Sequence, residues 1–106
     1  MASGRLGNPT VNAAQLADAY TVPTGYYAIA NISFTNRNAG SAKIRLAMST
    51  SSSPAIGEYI EYDTVVVGSG VFERTGLVMQ PGLKLVVYSD VANVGVTVYG
   101  IETSTT

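Results

Sequence analysis

The segment YAIANISFT constrains this chain more than any other. Ala28, Ala30, Ile32 and Phe34 fall on one side of an extended backbone, and Asn31, Ser33 and Thr35 on the other. An apolar period of two is the mark of a half-buried β-strand, and no helix can bury that pattern. The period recurs downstream. In KIRLAMS, Lys43 and Arg45 alternate against Ile44, Leu46 and Met48. LKLVVYS places Leu83, Leu85 and Val87 on one face. VGVTVYGIE sets Val94, Val96 and Val98 against Thr97, Tyr99 and Ile101. EYIEYDTVVV and VFERTGLVM read as two further strands, with Gly76 as a bulge or bend in the second.

Turn chemistry separates these runs. Pro23 and Gly25 punctuate YTVPTGYY, NRNAGSA is a loop, and TSSSPAIG is a polar connection. The triplet GSG at 68–70 reads as a hairpin turn, and QPG at 80–82 as another turn. Strands at this spacing, with no helical period beyond one turn, predict an all-β fold. The expected form is an antiparallel two-sheet sandwich, jelly-roll-like, over residues 19–106. Residues 1–18 are small and polar, broken by Gly4, Gly7, Asn8 and Pro9, and read as a flexible N-terminal arm. Within that region NAAQLADAY has an apolar spacing too weak to define an element. The start lacks the apolar stretch of a signal peptide, and no apolar run approaches the roughly 18 residues of a membrane span.

A chain of 106 residues makes one domain. It has no cysteine and no histidine, which removes disulfides, thiol nucleophiles, imidazole bases and nearly every zinc geometry. Only 12% of residues are charged, half of the usual share of about 25%. Six basic residues stand against seven acidic ones, so no net field attracts nucleic acid or an anionic membrane. A surface so poor in charge suits a protein that works packed against other protein.

The acids concentrate in one place, at Glu58, Glu61 and Asp63. On a regular strand Glu61 and Asp63 point the same way about 7 Å apart, within the span of about 6.5–9.5 Å used by an inverting glycosidase pair. Carboxylates on one strand project in parallel, however, and do not flank a sugar; no tryptophan or histidine assists them. A calcium site would need a glycine-wrapped acidic loop, which is absent here. The remaining reading is a sheet face of paired acids. Tyr59, Glu61 and Asp63 would share one face, with Ile60 and Tyr62 packed inward, and Arg74 would be the cross-strand partner of Glu61. Arg37 and Arg45 are the next candidates. Of the seven tyrosines, Tyr26 and Tyr59 are candidates to line a subunit contact. The GSG triplet lacks the following helix and lysine of a phosphate loop. No catalytic residue, metal ligand or cofactor is expected.

Several blocks together carry a family resemblance: GRLG at 4–7, YTVPTGYYAIANISFTNRN at 20–38, EYIEYD at 58–63, FERTGLVMQPG at 72–82 and VTVYGIE at 96–102. With these blocks the chain resembles small β-sandwich virion proteins of tailed bacteriophages, which decorate and cement the capsid or sit on tails and fibres. The resemblance implies a non-enzymatic structural protein on the virion surface, assembled in the host cytoplasm. A homotrimer seated on the major capsid protein is the leading form. A tail or head-fibre component is the first alternative. The resemblance places the motif charges Arg5, Arg37, Glu61, Glu73 and Arg74 at subunit contacts or in buried pairs. The arm would add a strand to a neighbour's sheet edge, and many copies would gain by multivalency. A carbohydrate-binding adhesion module is the second alternative, favoured by the tyrosines and the acidic strand and weakened by the lack of tryptophan.

Overall fold

The computed structural model of the chain describes residues 3–105. The strands are β1 (Ser3–Gly7), β2 (Gln15–Thr21), β3 (Tyr26–Asn36), β4 (Ala42–Ser49), β5 (Tyr59–Val66), β6 (Val71–Met79), β7 (Lys84–Ser89) and β8 (Val94–Ser104), with one 3₁₀ turn at Ile56–Glu58. They form two antiparallel sheets of four. Sheet A has the order β1-β8-β3-β6 and sheet B the order β2-β7-β4-β5. Every connection except β4–β5 crosses from one sheet to the other. This interleaving is the jelly-roll topology, so the expected fold class holds.

The alternation read in β3 is the reason for the core. Ala28, Ala30, Ile32 and Phe34 are fully buried, and they face Ile44, Leu46, Leu85 and Val87 of sheet B. Val94, Val96 and Val98 extend the same inner surface along β8. Phe72 lies beside Phe34 with ring centroids 6.2 Å apart, closing the β6 side.

Three expectations need correction. The region read as an arm, residues 1–18, is part of the sandwich wherever it is described; residues 1 and 2 lie outside the described residues. Ser3–Gly7 is paired with β8, Val11 is buried in the core, and the boundary drawn at residue 18 falls inside β2. Composition hides β1 because Ser3, Gly4 and Arg5 are exposed and only Leu6 packs against the core, so the strand has no apolar period; its antiparallel pairing with β8 holds it. β2 was obscured by a bulge between Asp18 and Tyr20 that breaks its alternation.

The GSG turn is the second correction. Gly70 N donates to Val67 O at 2.9 Å, so the turn is tight, but it carries the chain from β5 in sheet B to β6 in sheet A. It is an inter-sheet corner and not a hairpin. The third correction concerns Tyr62, which is 49% exposed. Between Ile44↔Thr64 and Leu46↔Glu61, both Tyr62 and Asp63 oppose Arg45 alone. Asp63 takes the left-handed conformation, φ 54°, that this bulge requires and that aspartate tolerates. A second register shift, between Leu46↔Glu61 and Ala47↔Tyr59, makes Ile60 the extra residue and sets both Ile60 and Glu61 toward the inner side, so that Glu61 faces in and Tyr62 faces out, the reverse of the alternation expected. The bend expected at Gly76 is present: φ is 71°, and the β3–β6 register shifts between Ala30 and Ile32.

The outer faces of the two sheets differ. The long β4–β5 connection folds over sheet B, where Ser52 Oγ donates to Asp18 Oδ2 at 2.8 Å. Ala47 and Val86 lie beside Asp18 in the same cross-strand row and are fully buried although they face away from the core. Sheet A has no such cover among the described residues.

Candidate functional site

The bulge in β5 separates the three acids that the sequence clusters. Glu61 pairs in register with the buried Leu46 and so projects to the inner side of sheet B. Its Oε2 accepts from Arg74 Nη1 at 2.5 Å and its Oε1 from Thr64 Oγ1 at 2.7 Å. Arg74 pairs in register with the buried Ile32 of sheet A. The expected Glu61–Arg74 pair therefore exists in one chain, but it ties the edge strand of one sheet to the edge strand of the other. It closes the β5/β6 side of the sandwich.

Asp63 faces the opposite way. Its Oδ1 accepts from Arg45 Nε at 2.7 Å, and the Arg45 guanidinium lies over the rings of Tyr62 and Tyr88, 4.2 and 4.5 Å from their centroids. The hydrogen bond from Arg45 holds the Asp63 carboxyl below its ordinary value and raises the guanidinium in return. Tyr59 meets Tyr62 edge-to-face at 5.1 Å and is half-buried. Glu58 looks back along the chain, where its Oε1 accepts from Ser49 Oγ at 2.9 Å and from Ala55 N at 2.8 Å. Each carboxylate has its own partners. Among the described residues no group of three acidic side chains is placed to hold a metal ion.

The other sequence candidates are dispersed. Glu73 accepts from Tyr99 OH at 2.8 Å, and this bond raises the Tyr99 hydroxyl above its ordinary value. Tyr26 is half-buried and packs against the core. Arg5 is exposed on β1 opposite Tyr99. Arg37 is exposed on the loop after β3.

Two polar groups escaped the sequence reading although the alternation contains them. Asn36 continues the inward series of β3, is fully buried, and donates from its amide to Gly40 O, Val66 O and Val67 O. Glu102 continues the inward series of β8. Its Oε2 accepts from Tyr20 OH at 2.5 Å, joining sheet A to sheet B at the β2 side. Burial and this carboxylate together push the Tyr20 hydroxyl far above its ordinary value. A polar residue at the end of an apolar alternation was the available signal.

The outer face of sheet A carries what the sequence did not assemble. Ile29 pairs in register with Val78 on one side and Ile101 on the other, forming a row across three strands. These side chains are 40%, 69% and 47% exposed, and Tyr27 beside them is 38% exposed. Single exposed apolar residues are ordinary, whereas a contiguous row of them across three strands on a solvent face is not. The fold and this face define an eight-stranded jelly roll with one covered and one open outer sheet. Comparison with family profiles, curated proteins and solved structures finds no match.

Proposed function

We propose that this chain is a non-enzymatic structural protein of a tailed-bacteriophage virion, a decoration or cement protein of the head shell. It works as a homotrimer seated on the major capsid protein. The observation that carries the association is the apolar row Val78–Ile29–Ile101 on the uncovered face of sheet A. An antiparallel sheet with one solvated face normally turns polar residues outward on it. Burying these side chains against protein would return about 25 cal/mol for each Å² removed from water. The low charge of the chain favours the same use, since little repulsion keeps copies apart. The assignment to a virion rests on the sequence resemblance, because jelly rolls serve capsid and lectin domains alike.

The test uses purified virions and shells stripped of the chain. The native chain is expected at on the order of hundreds of copies per particle, as repeated weak contacts on a shell require. Ile29→Glu is expected to stay folded, because the side chain is exposed, and to lose rebinding to stripped shells. Undiminished rebinding by that variant, or a native copy number of only a few per particle, would refute the proposal.

A further inference from the structure

The loops β1–β2, β3–β4, β5–β6 and β7–β8 all emerge at one end of the sandwich. Side-chain amides lock them together. Asn36 holds the β5–β6 corner from inside and also receives Asn38 N and Asn38 Nδ2 at its Oδ1, 3.0 and 2.9 Å away. Asn38 Nδ2 reaches Ala92 O at 2.8 Å, on the β7–β8 turn. Asn93, held at φ 65°, turns its carbonyl toward Arg37, which donates to it from both backbone N and Nε at 3.1 and 3.3 Å. On the β1–β2 side, Asn8 Nδ2 donates to Val96 O at 2.7 Å. A loop end braced in this way is preorganised for a ligand.

Between the first, second and fourth of these loops lies an open cleft of about 470 Å³. That is within the range of about 300–1,000 Å³ seen for small-molecule sites. Val11 and Val94 give it a small buried floor, and Asn8, Thr10, Asn12, Asn93 and Arg37 line its exposed walls. No carboxylate lines it. Arg37 is anchored through Nε only, so both terminal nitrogens of its guanidinium remain open, and among the described residues no acid is in ion-pair range of it.

This lining selects a ligand chemistry. A mainly polar wall disfavours an apolar molecule. Side-chain amides and a threonine hydroxyl both donate and accept, which matches the hydroxyls of a sugar. An unpaired guanidinium with its fork free matches a carboxylate in two parallel hydrogen bonds. We propose that this cleft is a binding site for an acidic saccharide, with the carboxylate of a uronic-acid unit on Arg37 and its hydroxyls on Asn8, Asn12 and Asn93. The site is independent of the open face of sheet A and of the virion assignment. It also differs from the surface that the tyrosines suggested, since no tyrosine lines the cleft.

The full chain, labelled with ¹⁵N, is titrated with sodium glucuronate, with glucose and with sodium acetate while backbone amide shifts are followed. Glucuronate is expected to give saturable shifts confined to residues 8–12, 37 and 92–95, with a Kd of about 1 mM or tighter. Glucose and acetate should each bind at least about tenfold more weakly, because each supplies half of the recognition. Arg37→Gln and, separately, Asn12→Ala are expected to keep the native spectrum elsewhere and to weaken glucuronate at least about tenfold and severalfold respectively. Either variant suffices should the other fail to fold. No saturable shift at these residues would overturn the site, and so would equal binding of glucuronate by Arg37→Gln. Acetate binding as tightly as glucuronate would overturn the saccharide, because it would show a bare carboxylate site.

Discussion

Replacing Tyr20 by phenylalanine removes one oxygen and tests how the two sheets are joined. Tyr20 and Glu102 are each only 8% exposed, so water has little access to the carboxylate once its donor is gone. A hydrogen bond to a charged group contributes about 1.5–3 kcal/mol, and stranding a buried acceptor costs about 1–3 kcal/mol. The expected loss is about 2 kcal/mol, kept to the middle of the range because Glu102 sits near the end of β8 and can turn toward solvent. In a domain of about 100 residues this lowers Tm by about 8–16 °C. Differential scanning calorimetry at pH 7 measures it. Replacing both partners by apolar residues, Tyr20→Phe with Glu102→Leu, should recover most of the loss, since no polar atom is then left stranded. The pH dependence gives an independent check. The folded state raises the Tyr20 hydroxyl above its ordinary value of 10.0, so the stability it contributes is complete below pH 10 and is lost as pH rises above that. Native Tm should therefore fall more steeply above pH 10 than that of Tyr20→Phe. A Tyr20→Phe variant with unchanged Tm and an unchanged alkaline limb would refute the reasoning.

Three further outcomes are expected. A double-mutant cycle of Glu61→Gln and Arg74→Gln should give a coupling of no more than about 1 kcal/mol, because Arg74 is 43% exposed; strict additivity would show that the pair does not tie the sheet edges. For Asp63, held below its ordinary value of 3.8, the contribution is present above that pH and is lost as pH falls below it. The Tm gap between the native chain and Asp63→Asn should thus close in acid, and a constant gap down to pH 2 would count against the Arg45 bond. Deleting residues 2–12 removes β1 and the buried Val11, so it should lower Tm and bare the β8 edge rather than trim a loose arm; an unchanged midpoint by circular dichroism would contradict the pairing described.

The strands that bury one clean face were legible, because β3, β4 and β8 each write their inner surface as every second residue. What escaped was governed by main-chain pairing and bulges. β1 sends only Leu6 to the core, and the bulge in β2 buries the neighbours Ala19 and Tyr20 together, so neither strand writes an alternating series. β5 slips twice against β4: the shift beside Ile60 sends Glu61 inward and Tyr62 to the surface, and the bulge at Tyr62 and Asp63 then parts Glu61 from Asp63. The Glu61–Arg74 pair is legible from the place of Arg74 on the strand after the GSG turn, though as cross-strand neighbours in one sheet and not across two. The apolar row of sheet A depends on the register of β6, β3 and β8, which lie far apart in the chain.

The place of β8 in sheet A carries a further consequence. This strand, the last of the eight in chain order, is inserted between β1 and β3, so neither of those strands has its inner neighbour until the other seven strands have already been made. Sheet A exists until then as an empty slot flanked by two open edges, and the pairings that fill it span most of the chain. Such non-local closure is slow and exposes the nascent molecule to strands from other copies. The same slot makes the fold divisible: a fragment ending before Val94 presents a groove shaped for one strand, and a peptide with the sequence of β8 is the piece that completes it.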